Sequence, residues 1–171
     1  TDYMQHKHAP AEAEALDFYA AIDGELGRLR ALGAVIGFTA DHGMNAKQRP
    51  DGSPNVIYLE SELAERFGPG FRVILPITDP YVAHHGALGS FAQVHLPDGL
   101  AASAVRDWLL QRPGISECHE RAVAARLMEL PEDRMGDLVV ASARDVVLGR
   151  TPAYHDLGAL AGALRSHGGR Y

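Results

Sequence analysis

The sequence predicts an α/β fold: a mostly parallel sheet flanked by helices, with a smaller α+β portion in the later half. Three observations carry that expectation. The apolar run Ala34-Val-Ile-Gly-Phe-Thr-Ala40 leads straight into Asp41-His42-Gly43, the pattern of a strand buried on both faces of a parallel sheet. Just before it, Leu16, Tyr19, Ile22, Leu26 and Leu29 recur at three- and four-residue steps, which makes residues 11–32 a long amphipathic helix. Further on, residues 90–143 alternate short strand-like and helix-like stretches separated by turn residues. Ligands of open α/β sheets bind just beyond the carboxyl ends of the strands, which is where Asp41 and His42 fall, and Gly43 gives the backbone room to turn.

Taken in order, residues 1–10 are polar and irregular and hold Asp2, His6 and His8; Pro10 suits the first turn of the helix that follows. Gly33 is placed to end that helix, and residues 34–40 form the strand. A polar loop with Lys47, Arg49, Pro50, Asp51, Gly52 and Pro54 separates it from a strand over 55–59. Ser61 is placed to cap a short helix over 62–67, ended by Gly68-Pro69-Gly70, and residues 71–77 read as another strand. A long loop carries Tyr81, His84 and His85. Strands follow at 90–96, 115–119 and 137–143, helices at 101–111 and 122–130, and residues 145–148 extend the sheet. Residues 157–164 are small and apolar and lead into Ser166-His167-Gly168-Gly169. The expected division is a ligand-bearing α/β part over 1–77, a small α+β portion over 78–150, and a return to the core over 151–171.

Composition narrows the function. At 171 residues, with 46% hydrophobic and 22% charged residues, the chain has enough material for one substantial core. A formal net charge of −6 argues against a nucleic-acid surface, which needs clustered Lys and Arg. No apolar run has the length of a membrane span. The single Cys118 excludes an internal disulfide framework and fits a reducing, cytoplasmic location. The chain opens at Thr1 without a Met and stops just after a His-Gly-Gly turn, so it reads as a piece of a longer protein.

Taken singly, the Asp2/His6 spacing, the Asp41-His42-Gly43 run and His167 before two glycines are weak to moderate signals. Together they supply five oxygen and nitrogen ligands of the types zinc prefers, from three separate segments. In this order, D-x-x-x-H, a long amphipathic helix, a strand, D-H-G-M and a later H-G, the chain resembles the alkaline phosphatase superfamily, its phosphodiesterase-like branch in general. More narrowly, Thr1-Asp-Tyr-Met-Gln-His-Lys-His-Ala-Pro10, Ala40-Asp-His-Gly-Met-Asn-Ala-Lys47 and Ser166-His-Gly-Gly169 resemble the phosphonoacetate hydrolases.

That resemblance implies an alkaline-phosphatase-like fold and two zinc ions, one held by Asp2, His6 and His167 and the other by Asp41 and His42. It also implies a nucleophilic threonine and a further aspartate, which this sequence does not match: Thr1 and Thr39 stand in the wrong contexts. These groups, and the basic residues that hold the substrate's carboxylate, are expected in a preceding segment, so the chain should not be catalytically competent alone. The implied reaction hydrolyses the C–P bond of phosphonoacetate through a covalent phosphothreonine, with the two ions, at roughly 3.5–4 Å from one another, clamping the phosphoryl oxygens. The carboxylate next to the departing carbon spreads its charge, and positioning and electrostatics carry most of the rate. Alternatives are a phosphodiesterase or nucleotide pyrophosphatase of the same superfamily, or a non-catalytic metal-binding fragment. The same ligand set also accepts manganese or iron.

Other residues have blander readings. His8 is expected beside the first cluster as a supporting or solvated group rather than a ligand. Lys47 is read as a solvated loop lysine, with stabilisation of an anion as the alternative. His84 and His85 are read as neighbours on a surface loop, where adjacent side chains usually point apart, with a substrate gate as the alternative, and Trp108 is expected in the core. His95, Cys118, His119 and His155 show no spacing that suggests chemistry. The expected partner is a small-molecule phosphonate, with a homodimer as the oligomer considered and neither nucleic acid nor membrane involved.

Overall fold

A four-stranded antiparallel sheet in the order β3-β4-β6-β5 forms the centre of the computed structural model, which describes residues 3–76, 88–158, 160 and 163–169. Its strands are β3 (Arg72–Ile74), β4 (Phe91–His95), β5 (Ile115–Glu120) and β6 (Leu138–Ser142). Strand β6 lies between β4 and β5 and alternates between two cores, as the two-residue period of a strand requires. Leu138 and Val140 pack with Val73, Val94, Val105 and Leu109 on one face. Val139 packs with Ala124, Ala125 and Met135 on the other.

Helices cover both faces. On the first lie α3 (Leu59–Phe67), through Leu59 and Leu63, and α4 (Ala102–Leu109), through Val105 and Leu109. Each pair is spaced four residues apart and is fully or almost fully buried. Helix α5 (Arg121–Met128) packs on the second face, and a short 3-10 turn, Glu132–Arg134, leads into β6. Trp108 lies against the first core, in edge contact with Phe67.

Two small pairings accompany the central sheet among the described residues. Strand β2 (Val56–Tyr58) runs parallel to β7 (Val147–Gly149) over a satellite core of Val56, Leu88, Val147 and Leu164. Strand β1 (Met44–Ala46) runs antiparallel to β8 (Arg165–His167). Neither β1 nor β8 was expected. Each is three residues long, too short to show a sequence period.

The α/β character holds, while the described sheets are mainly antiparallel, with β2–β7 the parallel pair. Residues 34–40, expected as a buried strand, make no strand pairing among the described residues; Val35 is 101% and Phe38 80% exposed. The β-type sequence lacks neighbours there, and a strand is stable only beside another. Helix α2 (Ala13–Ala31) matches the expected long helix, although its buried residue is Ala15, with Leu16 and Leu29 both exposed. It ends as expected at Gly33, whose φ of 88° lets Gly33 N and Ala34 N donate back to Arg30 O and Leu29 O.

Helix α3 starts earlier than Ser61. The Arg150 carbonyl accepts from Glu60 N and Ser61 N, so the chain after β7 satisfies this helix terminus in place of a side-chain cap. Among the described residues, no helix is long and apolar enough to cross a membrane.

Candidate metal centre

Three histidines from distant parts of the sequence meet at one point. His6 lies in the one-turn helix α1 (Tyr3–Lys7), His42 just before β1, and His167 at the end of β8. One ligating nitrogen from each lies within 4.8 Å of the others. The ring centroids of His42 and His167 are 4.2 Å apart, those of His6 and His167 5.0 Å, and those of His6 and His42 5.9 Å. All three pairs meet edge to face. His6 and His167 are buried at 6% and 8% exposure, while the His42 side chain reaches the surface.

The β1–β8 ladder creates this proximity. Its register sets Met44 opposite His167, so the residues entering β1 and leaving β8 share one end of the ribbon. Helix α1 packs against both α2 and β8 and delivers His6 to that end. A cavity of about 300 Å³ opens beside the cluster, bounded by His6 and His42 and by Phe18, Ile22 and Phe38. It has an apolar wall on one side and nitrogen donors on the other.

The expected ligands separate in this geometry. His6, His42 and His167 converge. The Asp41 carboxylate is 90% exposed; one oxygen accepts from the His42 backbone N–H at 3.1 Å and the other lies 3.7 Å from His42 Nε2. Asp2, His84 and His85 lie outside the described residues. His8 turns away from the cluster and pairs with Glu12 at 3.0 Å, with Glu14 at 3.8 Å.

Lys47 departs furthest from its expected place. The sequence places it on a solvated loop, and the structure buries it fully. Its ammonium donates to Ser90 Oγ at 2.7 Å, to the Arg144 carbonyl at 2.6 Å and to the Gly168 carbonyl at 2.8 Å. Burial lowers its pKa to about 8; nearby Asp145 opposes that shift and Arg144 adds to it. The local sequence holds no signal for this, because a lone lysine among loop residues gives no reason to bury it.

His155 is also buried, its Nε2 accepting from the Arg150 N–H at 3.0 Å, which makes it a structural histidine. His119 pairs with Glu117 at 3.1 Å, away from the cluster.

Three imidazole nitrogens facing one point suit zinc and neighbouring divalent ions, and a three-histidine set leaves a coordination position open for water or substrate. The donors present therefore fit a metal.

No family model matches the chain. Two solved structures of phosphonoacetate hydrolase from Sinorhizobium meliloti, one in complex with phosphonoformate and one with phosphonoacetate, are each 52% identical to it. Their TM-scores are 0.91 and 0.90, over 99% of this chain. The chain spans 41% of the length of those proteins. Murine ectonucleotide pyrophosphatase/phosphodiesterase 5 shares the fold at 15% identity, with a TM-score of 0.59 over 99% of this chain and 41% of its own.

Proposed function

We propose that this chain, which belongs to the alkaline phosphatase superfamily alongside phosphonoacetate hydrolase, supplies the histidine wall of a divalent-metal site in an enzyme that hydrolyses phosphonoacetate to acetate and phosphate. The observation that carries the reading is the convergence of His6, His42 and His167 from three separate segments. Similarity at 52% identity to proteins solved with phosphonoacetate and phosphonoformate supports the substrate class.

In this reading zinc is the native ion and the site holds two of them, drawing ligands from Asp2, His6, Asp41, His42 and His167. Bound metal would supply Lewis-acid stabilisation of the phosphoryl oxygens and activation of an attacking oxygen. The chain's own residues hold and orient: His6 and His167 present buried nitrogens, and the partly exposed His42 and the exposed Asp41 lie on the open side. Phe18 and Ile22 give the cavity beside the cluster an apolar lining. In this reading the attacking threonine and the groups that hold the substrate's carboxylate lie on a segment outside this chain, which spans 41% of the length of the phosphonoacetate hydrolase it resembles.

Residues 34–40 are, on the same reading, an interior strand of a parallel sheet completed by that remaining part. Their apolar sequence and exposed side chains support this. The single, buried Cys118 supports a reducing compartment such as the cytoplasm.

The test is phosphate release from phosphonoacetate by the full-length protein after chelation and zinc reconstitution. Zinc-dependent release that is lost in His167→Ala supports the proposal. Turnover of an aryl phosphodiester without release from phosphonoacetate would replace it with a phosphodiesterase reading.

A further inference from the structure

We propose that Lys47 is a positioning residue for the histidine cluster: its ammonium fixes the turn that follows His167 and so aims that imidazole at His6 and His42. The inference rests on reading the cluster as a metal site and adds to it a residue that is not itself a ligand.

An ammonium has three N–H donors and no acceptor, and all three of Lys47's are used. Its acceptors come from three places: Ser90 ahead of β4, Arg144 in the turn after β6, and Gly168 directly after His167. The Ser90 hydroxyl in turn donates to the Val146 carbonyl at 2.8 Å, so the anchor is held from behind. The Gly168 carbonyl also accepts from Asn45 Nδ2 at 3.3 Å, and Asn45 Oδ1 accepts from Arg144 Nε at 2.9 Å. Two carbonyls, an amide and an ammonium thus tie the end of β8 to β1 on one side and to the Arg144 turn on the other.

The turn has little freedom to settle elsewhere. Gly168 and Gly169 adopt φ of 68° and 107°, and a Cβ at Gly169 would stand 2.5 Å from Arg144 Cα. The backbone after His167 therefore lies directly on the segment that Lys47 also grips. Holding the Gly168 carbonyl restrains the backbone on the C-terminal side of His167, and with it the position of the His167 Cα–Cβ bond. Arginine would not substitute, because its planar fork cannot meet three acceptors arranged around one nitrogen.

Supporting groups around metal-binding histidines set ring orientation, and their loss typically costs about 10–100-fold in metal affinity. The experiment titrates cobalt(II) into the protein and its variants, reading the dissociation constant and the visible absorption spectrum. Lys47→Met is expected to weaken binding at least about tenfold and to alter the spectrum, with Lys47→Arg failing to restore either. Ser90→Ala, a milder cut to the same anchor, is expected to move both in the same direction by a smaller factor. It decides the question if Lys47→Met does not fold. Leu109→Ala, in the core under α4 and remote from the cluster, is expected to lower the melting temperature while leaving affinity and spectrum unchanged.

Folded Lys47→Met or Ser90→Ala protein with wild-type affinity and spectrum overturns the proposal. So does a Leu109→Ala protein that loses affinity to the same degree, since the effect would then be general loosening. If His167→Ala binds cobalt as wild type does, the metal reading itself fails. If His167→Ala loses binding while Lys47→Met keeps it, the positioning role alone fails.

Discussion

His42 and His167 face each other edge to face with ring centroids 4.2 Å apart, and the pairing of Met44 with His167 in the β1–β8 ribbon brings them there. Neither ring depends on a helix for its place; both depend on a ladder of three residue pairs. The metal centre should therefore respond both to ligand removal and to damage in this short ribbon.

Replacing His167 or His42 with alanine should lower zinc affinity by more than the roughly 10–100-fold that loss of a supporting partner costs. Asp41→Ala offers a cleaner comparison. The Asp41 carboxylate is 90% exposed, so its removal should leave the metal-free melting temperature unchanged, within about 0.5 kcal/mol of stability. Any loss of zinc in that variant then reports ligation and not folding. Zinc per chain by elemental analysis, beside a thermal melt, checks both; an Asp41→Ala protein with full zinc content removes Asp41 from the ligand set.

The glycine after the cluster gives a second handle. At Gly169 a methyl group would overlap the Arg144 backbone, and φ of 107° is unfavourable for any residue with a Cβ. Gly169→Ala should cost about 2 kcal/mol or more and also weaken zinc binding, because the displaced turn carries His167 with it. Chemical denaturation measures the first effect and zinc titration the second. A fully stable Gly169→Ala protein would mean that this turn is looser than its contacts indicate.

What the sequence revealed follows from how local each feature is. The period of Leu16, Tyr19, Ile22, Leu26 and Leu29 and the glycine at position 33 mark helix α2 to within two residues at its start and one at its end. The strands of the central sheet were legible as short apolar or alternating runs set between turn residues, as at Phe91–His95 and Leu138–Ser142. The histidines were legible as candidates through their neighbours: Asp41 and Gly43 around His42, and two glycines after His167. Ribbon β1–β8 was not, because Met44–Ala46 and Arg165–His167 are short, largely polar stretches with no β-rich run, and with it went the meeting of His42 and His167. Burial of Lys47 was hidden for a related reason: its partners are a hydroxyl and two backbone carbonyls from remote segments, and any residue supplies a carbonyl. Residues 34–40 show the reverse case, a strong local pattern whose pairing partners are not among the described residues.

The thiol of Cys118 makes stability depend on alkaline pH in a known direction. Burial pushes its pKa up to about 12 from an ordinary value near 9. Between those values the unfolded chain loses the thiol proton and the folded chain keeps it. The thiol's contribution is thus fully present below pH 9 and is lost as pH rises toward 12. Lys47, with a folded pKa of about 8 against 10.5, acts the other way: the unfolded state holds the extra proton, and stability is gained between those values. Comparing wild type with Cys118→Ala cancels the lysine. From pH 8.5 to 10.5 the wild type should lose about 2 kcal/mol more than the variant, read from urea midpoints. Equal losses would mean that the Cys118 environment opens to solvent. At pH 8 the folded thiol should also resist a disulfide reagent that labels it at once in urea.

Phe38 separates what this chain needs from what the longer protein would need. Phe38 is 80% exposed and Val35, three residues before it, 101%, so the chain gains little from burying either. Phe38→Asp should change the stability of the 171-residue chain by no more than about 0.5 kcal/mol, as surface substitutions do. If residues 34–40 become an interior strand in the longer protein, the same substitution buries a charge without a partner there and should cost about 3 kcal/mol or more, with loss of folded protein on expression. Parallel denaturation of the two lengths measures the difference. A small effect in both would leave residues 34–40 as an exposed connection between α2 and the metal centre, and would overturn the reading that they complete a parallel sheet.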